Sequence, residues 1–349
     1  MKTVYVGMSG GVDSSLSAVL LKEQGYHVVG VYMKNWSKDL PGMRCPWAED
    51  LADAKRVAVR LGIDFKVFDF ETEYKQKVVD YMLGEFERGR TPNPDIMCNQ
   101  EIKFKLFYET AREDGADLIA TGHYARTNGK NLLMATDQNK DQTYFLYRIS
   151  DEALMHTLFP VGEMLKPEVK KLAAKKGLDN AYKKESMGVC FVGEVGMEDF
   201  LKEYFPERPG PIIDAETGEE LGTHEGAIFY CIGQRHGLNL GGGLPYYVVK
   251  KDVKSNIVYV SRNLNAKDLW TTELELEDVI IRNGREISRP EQHIPLGPIS
   301  VRLRHRAELI PATFDGQKLH FENPIKRPAS GQSAVFYDGE ICLGGGIVK

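Results

Sequence analysis

Short apolar runs alternate with stretches of helical period through the first third of the chain, and that alternation leaves few possible architectures. Thr3 to Val6 reads as a buried strand. Ser14 to Gln24 reads as a helix, with Leu16, Val19 and Leu20 on its stripe and Gly25 as its stop. His27 to Met33 (HVVGVYM), Phe65 to Phe70 and Asp117 to Thr121 (DLIAT) read as further strands. Leu51 to Leu61, Glu73 to Phe86 and Glu101 to Glu113 read as the helices between them. This spacing builds βαβ units, hence an α/β fold: a parallel sheet with helices on both faces. Ligands of such sheets bind at the carboxyl ends of the strands, where the strand order reverses.

That geometry gives a role to SGGVDSS, Ser9 to Ser15, which ends the first strand and opens the first helix. Gly10 and Gly11 permit a sharp turn and close approach of a ligand to the backbone. The amides of Gly7, Met8 and Val12 and their neighbours surround a helix N-terminus, which attracts anions, phosphate above all. Ser9, Ser14 and Ser15 add hydroxyls. Asp13 suits a phosphate site only with Mg²⁺ between them; otherwise it is a helix-start residue. Taken alone, a Ser/Gly turn is just a capped helix. The loop is neither GxxxxGK[ST] nor GxGxxG, since the one Gly-Lys pair, Gly129-Lys130, is followed by Asn131. SGGVDSS resembles the pyrophosphate-loop motif of ATP pyrophosphatases, which implies ATP as the nucleotide, with Mg²⁺.

A second candidate segment is GRTPNPDIMCNQEIKF. Its prolines make Thr91 to Asp95 a stiff extended loop. The Asn93 amide both donates and accepts, as a base edge requires. Asp95 can exchange a proton, or be a plain turn carboxylate. Cys98 lies near the start of the next helix, where a thiol is more acidic and more nucleophilic, with Lys103 a turn further on. The chain has five cysteines, an odd number with no CxxC pair, and no HExxH, so structural disulfides and a zinc site of usual spacing are not expected. Cys45, Cys231 and Cys342 read as inert buried thiols. Cys190, in ESMGVCFVG after a lysine-rich stretch, reads as reactive.

Ten ordered blocks carry a closer likeness: GMSGGVDSS, MKNW, GRTPNPDIMCNQEIKF, ATGHYAR, KDQTYFLY, LFPVGE, SMGVCFVG, GQRHGL, YYVVKKD and GQSAVFYDGEICLGGG. Together they resemble the tRNA-specific 2-thiouridylase family over nearly the whole chain. The resemblance implies that Gly7 to Ser14 hold the ATP phosphates and that Met33 and Gly122 border the adenosine. It implies that Asn93, Pro94 and Asp95 face the target wobble uridine. Cys98 would be the catalytic nucleophile, Cys190 the persulfide carrier and Asp95 the general acid/base. Lys140, Asp141, Gln142, Arg304 and His305 would touch tRNA. Expected partners are tRNAs of the Lys, Glu and Gln type and a protein donating persulfide sulfur. The family often has Thr or Gln at the place of Met187, and Tyr or similar near His305.

Further along, Lys166, Lys170, Lys171, Lys175, Lys176, Lys183 and Lys184 crowd one segment. They form either a solvated helix face or a track for tRNA phosphates beside Cys190. The net charge of −5 requires any RNA-binding surface to be local. From Pro209 the pattern turns to short alternating runs with Gly, Asn and Asp turns. FYCIGQRHG reads as a strand and YYVVKKDVKSNIVYVSR as a hairpin; VRLRHRAEL alternates Val301, Leu303 and His305 inward with Arg302, Arg304 and Arg306 outward. The expected division is 1–205 for the nucleotide domain, 206–270 for a small β-rich domain and 271–349 for a β-barrel. No membrane span and no leader peptide are expected, which places the chain in the cytoplasm. Rival readings are a 4-thiouridine synthetase-like enzyme, an amidotransferase-type synthetase, and a non-catalytic tRNA-binding module with a regulatory nucleotide site. The thiol pair disfavours the synthetase. The loop at the very start disfavours the 4-thiouridine enzyme, which usually carries an RNA-binding head before it.

Overall fold

A computed structural model describes residues 1–39, 45–183, 196–241, 243–263, 269–282 and 296–349. In the first domain the strands are β1 (Thr3–Gly7), β2 (His27–Lys34), β3 (Asp64–Asp69), β4 (Leu118–Ala120), β5 (Arg126–Thr127), β6 (Leu132–Leu133) and β7 (Thr157–Leu158). Five of them form one parallel sheet in the order β3-β2-β1-β4-β7. The order reverses between β1 and β4, so the ligand crevice belongs at their carboxyl ends. The two-residue β7 escaped the sequence reading because so short a run has no measurable period.

Alternation along β1 sends successive side chains to opposite faces. Val4 and Val6 pack with Leu16 and Val19 of α1 (Val12–Glu23), Val57 of α2 (Trp47–Leu61), and Val169 and Ala173. Tyr5, with Val29 and Val31, packs against Phe70, Val78, Ile102 and Phe107. Helix α2 stops at Gly62, which takes φ 58°, ψ 46° in the left-handed region.

The helix expected over Glu73–Phe86 runs as α3 (Glu71–Tyr74), a π-helical stretch Lys75–Val79 and α4 (Asp80–Glu87). The one expected over Glu101–Glu113 starts earlier, as α5 (Pro94–Met97), and continues through a π-helical stretch Cys98–Leu106 into α6 (Phe107–Glu113). Further α-helices are α7 (Thr143–Leu146), α8 (Asp151–Met155), α9 (Lys166–Lys175) and α10 (Met197–Lys202).

The central module is a four-stranded sheet ordered β10-β11-β8-β9, from β8 (Gly210–Asp214), β9 (Glu220–His224), β10 (Tyr247–Asp252) and β11 (Ile257–Ser261). The expected hairpin is β10–β11. The expected strand FYCIGQRHG is not one: Ala227–Phe229 forms a single 3₁₀ turn and the residues after it carry no strand.

The barrel comprises β12 (Trp270–Ile281), β13 (Leu296–Arg302), β14 (Ile310–Phe314), β15 (Lys318–Lys326), β16 (Ser333–Asp338) and β17 (Ile341–Val348). These pair in the order β12-β15-β14-β13-β16-β17, and β12 pairs β17 to close the ring. Leu274, Val301, Phe314, Leu319 and Phe336 fill it. The barrel is not separate from the first domain, because β17 also pairs with β6 through Ile341↔Leu133 and Cys342↔Leu132. No helix among the described residues is long and apolar enough to cross a membrane.

Candidate active site

Gly10 turns the chain after β1 with φ 77°, and a Cβ there would lie 2.6 Å from the Asp50 carbonyl oxygen. Gly11 is the N-cap of α1, and no side chain caps it. The loop's carbonyls are instead tied inward. Ser14 and Ser15 hydroxyls donate to Gly11 O at 3.1 and 2.9 Å, and Asn180 Nδ2 donates to Gly10 O at 2.9 Å. The Ser14 hydroxyl also accepts from Ser9 N at 3.2 Å. With the carbonyls held back, the first-turn amides of α1 form the anion-binding end. Met8 and Val12 point into the core, so only their backbone can serve a ligand.

Gly122, just beyond β4, closes this crevice. A Cβ on it would sit 2.6 Å from Ser14 N, so the strand end rests directly on the first turn of α1. The Met33 side chain lies over Gly7, its Cε 2.9 Å from where a Cβ would be. Met33 and Gly122 therefore flank the loop from the strands on either side of β1.

The structure corrects the expectation for Asp13. Its carboxylate is bound by Lys166 Nζ at 2.7 and 2.8 Å and by the Tyr124 hydroxyl at 2.9 Å. Lys166 is 6% exposed, inside the molecule and not on a solvated lysine face. Asp50 and Asp53, the other acids beside the loop, are paired with Lys183. No group of three or more His, Cys, Asp or Glu among the described residues is arranged to hold a metal. These residues do not fit a protein-held Mg²⁺.

The expected extended loop Thr91–Asp95 is also corrected. Asn93 Oδ1 accepts from Asp95 N at 3.1 Å and Ile96 N at 3.4 Å, capping α5, with Pro94 as the first helical residue. The Asn93 carbonyl is thus committed to the helix, and its NH₂ is what it can offer a base. Asp95 lies in the first turn of α5, not in an extended loop. Burial raises its carboxyl above the usual range, and the charge of Lys103 pulls the other way. Cys98, 3% exposed, is the first residue of the π-helical stretch, so it sits a full turn inside the helix. The wider π turn places Lys103, five residues on, near the line of Cys98.

His123, adjacent to Gly122, is a further candidate that no sequence pattern marks. Its ring packs on Phe104 at 5.6 Å and its Nδ1 lies 2.8 Å from Thr121 Oγ1. Burial lowers its pKa well below the ordinary histidine value, and Lys103 adds to the effect. The Phe104 contact joins the helical stretch that begins at Cys98 to the strand end beside the loop. The block ATGHYAR held this signal, but a lone histidine after a strand has no pattern that separates it from a packed one.

Cys190 lies outside the described residues, as do Lys184 and Met187. Cys342 is fully buried and its thiol is pushed up to about 12, chiefly by burial. Burial likewise raises Cys45. Both agree with inert thiols.

Of the expected tRNA contacts, Arg304 is exposed and Lys140 half-buried. Gln142 uses Oε1 to accept from Tyr124 N at 2.9 Å. Asp141 is not a surface residue: it is 1% exposed and binds Arg302 at 2.9 Å, the Thr143 hydroxyl at 2.8 Å and Ala135 N at 3.0 Å. Arg302, read as outward, is its buried partner. His305 is half-buried, its ring 4.5 Å from that of Phe145. Its pKa falls to about 4 through burial first, then through Arg306, Arg302 and Lys140. The lysine track is shorter than it reads, because Lys176 and Lys183 are paired with Glu23, Asp50 and Asp53.

Residues 2–194 match the family described as tRNA methyl transferase HUP domain, 198–262 the tRNA methyl transferase PRC-barrel domain, and 287–348 the Aminomethyltransferase beta-barrel domain. The tRNA-specific 2-thiouridylase MnmA of Photorhabdus laumondii is 46% identical across 100% of this chain and 97% of its own length. The chain belongs to the tRNA-specific 2-thiouridylase family. A second member, tRNA-specific 2-thiouridylase MnmA 1 of Geobacillus kaustophilus, is 46% identical over 99% of this chain and 95% of its own. Among solved structures, a 4-thiouridine synthetase in complex with RNA and bound ATP is 18% identical, with TM-score 0.37, over 52% of this chain and 43% of that one.

Proposed function

We propose that this chain is a tRNA uridine 2-sulfurtransferase that consumes ATP, acts on wobble uridine and works in the cytoplasm. The observation that carries the reading is the packing contact at the end of β4: Gly122 rests on Ser14 N of the loop, and the adjacent His123 ring packs at 5.6 Å on Phe104 of the helical stretch that begins at Cys98. It joins a phosphate-binding helix end to a buried thiol. A uracil carbonyl oxygen is a poor leaving group, so adenylation of the position-2 oxygen makes AMP the group expelled. The amides of Gly10 to Ser14 hold the phosphates and the charge that develops there. Asp95, whose carboxyl burial shifts above the usual range, serves as general acid/base.

The sulfur arrives as a persulfide on Cys190, loaded by a protein donor. Its terminal sulfur replaces the adenylated oxygen at carbon 2 and AMP leaves. Cys98 attacks the Cys190 sulfur, the S–S bond of the persulfide breaks, and the two cysteines end as a disulfide that an external thiol reduces. Attack by the persulfide itself and by hydrosulfide released through Cys98 share this balance. The wobble base, in a single-stranded loop, leaves its stack at a cost of about a few kcal/mol. Lys140, Gln142 and Arg304 are the tRNA contacts retained, with His305 as an aromatic surface, and tRNAs of the Lys, Glu and Gln type as substrates. The division into 1–205, 206–270 and 271–349 assigns chemistry to the first part and RNA contact to the last. Mass spectrometry of wobble nucleosides from a deletion strain tests the reading. Wild type restores 2-thiouridine, and Cys98→Ser and Cys190→Ser do not; sulfur restored by either variant overturns it.

A further inference from the structure

The turn that opens β16 reaches out of the barrel and holds the backbone just before the catalytic helix. Thr91 N donates to Ser330 O at 2.8 Å, and Gln332 Nε2 donates to Thr91 O at 2.7 Å. Both backbone polar groups of Thr91 are thus engaged by the segment Ala329–Gln332. The approach is close: Gly331, at φ 92°, has no Cβ, and one there would lie 3.0–3.1 Å from Thr91 N, C and O. The turn is itself anchored on the last strand. Gly331 N donates to Val348 O, and Val348 N donates to Gln332 O, each at 2.8 Å. Next to Thr91, the Arg90 guanidinium lies between Glu85 at 2.9 Å and Glu277 of β12 at 2.5 Å.

From Thr91 the chain has little freedom to absorb a displacement. Pro92 and Pro94 fix their own φ and restrict the residues before them. Asn93 then caps α5, whose first turn holds Asp95 and whose continuation holds Cys98. We infer that Gln332 is a positioning residue for the thiolation reaction: through Thr91 it sets the height of the Asn93–Cys98 segment, so that the barrel fixes the reacting groups as well as carrying RNA contacts. Only a side-chain donor can do this, because the Gln332 backbone amide is used within the turn, to Ala329 O at 3.2 Å. The inference rests on the proposed roles of Asp95 and Cys98.

The test compares wild type, Gln332→Ala and the isosteric Gln332→Glu, which puts an acceptor against the Thr91 carbonyl. Both variants should lower kcat for 2-thiouridine formation by about 10- to 100-fold, the cost of misplacing reacting groups by around an ångström. ATP KM and tRNA Kd should stay within about twofold of wild type, because the contacts with either ligand are untouched. Peptide mapping of iodoacetamide labelling should show faster alkylation of Cys98, with Cys45 as internal reference. A merely structural contact would lower Tm and leave these readouts alone. Wild-type kcat together with unchanged Cys98 labelling in folded Gln332→Glu overturns the inference. Cys98→Ser, measured alongside, separates the two readings. If Cys98→Ser is dead while Gln332→Ala and Gln332→Glu turn over normally, only the positioning role fails; if Cys98→Ser is active, the catalytic assignment fails.

Discussion

Around the loop after β1, the turn itself is shaped by residues within a few positions of one another, Ser9, Gly10, Gly11, Ser14 and Ser15, and distant residues such as Asn180 and Gly122 only close on it. At the seam between the first domain and the barrel the material is opposite. Asp141 meets Arg302 across 161 positions, the Tyr144 hydroxyl meets Ser333 O across 189, and the Arg282 guanidinium, 2% exposed, binds Asp151 across 131. A backbone site is announced by local residue types, because glycine and serine act where they stand. A buried polar seam depends on which distant strand is brought alongside, and a carboxylate destined for burial looks in sequence like one destined for solvent. Substitutions at the two places should differ in kind, costing chemistry at the loop and folding at the seam.

The largest effect belongs to the seam. Arg302→Leu leaves the Asp141 carboxylate buried with only its hydroxyl and amide donors. Breaking a buried pair from one side costs about 3–5 kcal/mol. Denaturant unfolding should show that loss, and the double variant Arg302→Leu/Asp141→Leu should recover part of it. A loss under about 1 kcal/mol, the ordinary worth of an exposed pair, would place Arg302 in effective contact with water and remove the contrast.

The loop should respond through turnover instead. In Gly122→Ala the added methyl meets the Ser14 amide and the Asp13 carbonyl carbon, at 2.6 and 2.8 Å, and pushes β4 off the first turn of α1. A displacement of that size at a phosphate site should lower kcat/KM for ATP by about 100-fold. Tm should shift far less than in Arg302→Leu. Normal ATP kinetics would show that the crevice between β1 and β4 is not where the nucleotide reacts.

Lys166 lies between the two kinds of region and shows where legibility ends. Strands β1, β2, β3 and β4, the glycine turn and the parallel sheet could be read because each rests on period and on local turn chemistry. The same reading leaves Lys166 on the surface, on a solvated face or a phosphate track, since its helical neighbours Lys170 and Lys171 are amphipathic partners of Val169 and Leu172. It is the first residue of α9, and the approach of α9 to α1, a tertiary event, drives its ammonium onto Asp13. The Thr91–Asp95 segment differs for a related reason: Pro94 reads as a helix breaker inside a helix but as a favoured residue at the first position, and only the cap distinguishes the two. The π-helical stretch after Cys98 has no sequence signature at all. Lys166→Met leaves Asp13 uncompensated beside incoming phosphate. ATP KM should rise about tenfold, equivalent to roughly 1.4 kcal/mol, with kcat little changed. An unchanged KM would mean that Asp13 is neutralised by another group.

The smallest effect sharpens the comparison at a place expected to meet RNA. His305 has a pKa of about 4 in the fold against an ordinary 6.5, because burial and the neighbouring cations Arg306, Arg302 and Lys140 disfavour its charged form. Between those values the unfolded chain holds a proton on this residue that the folded chain does not. Unfolding then takes up protons, so stability rises with pH through this window and is lost as pH falls from 6.5 towards 4. His305→Phe keeps an aromatic ring against Phe145 and removes the proton, so the dependence of Tm on pH in that interval should be shallower than in wild type. Binding should separate the two faces of the residue. If His305 meets tRNA as a neutral ring, His305→Phe binds tRNA within about twofold of wild type, and the salt dependence of binding is unaltered, since no phosphate charge is being neutralised. A shallower salt dependence in the variant would mean that RNA protonates the imidazole on binding, and would turn a packed residue into an ionic contact.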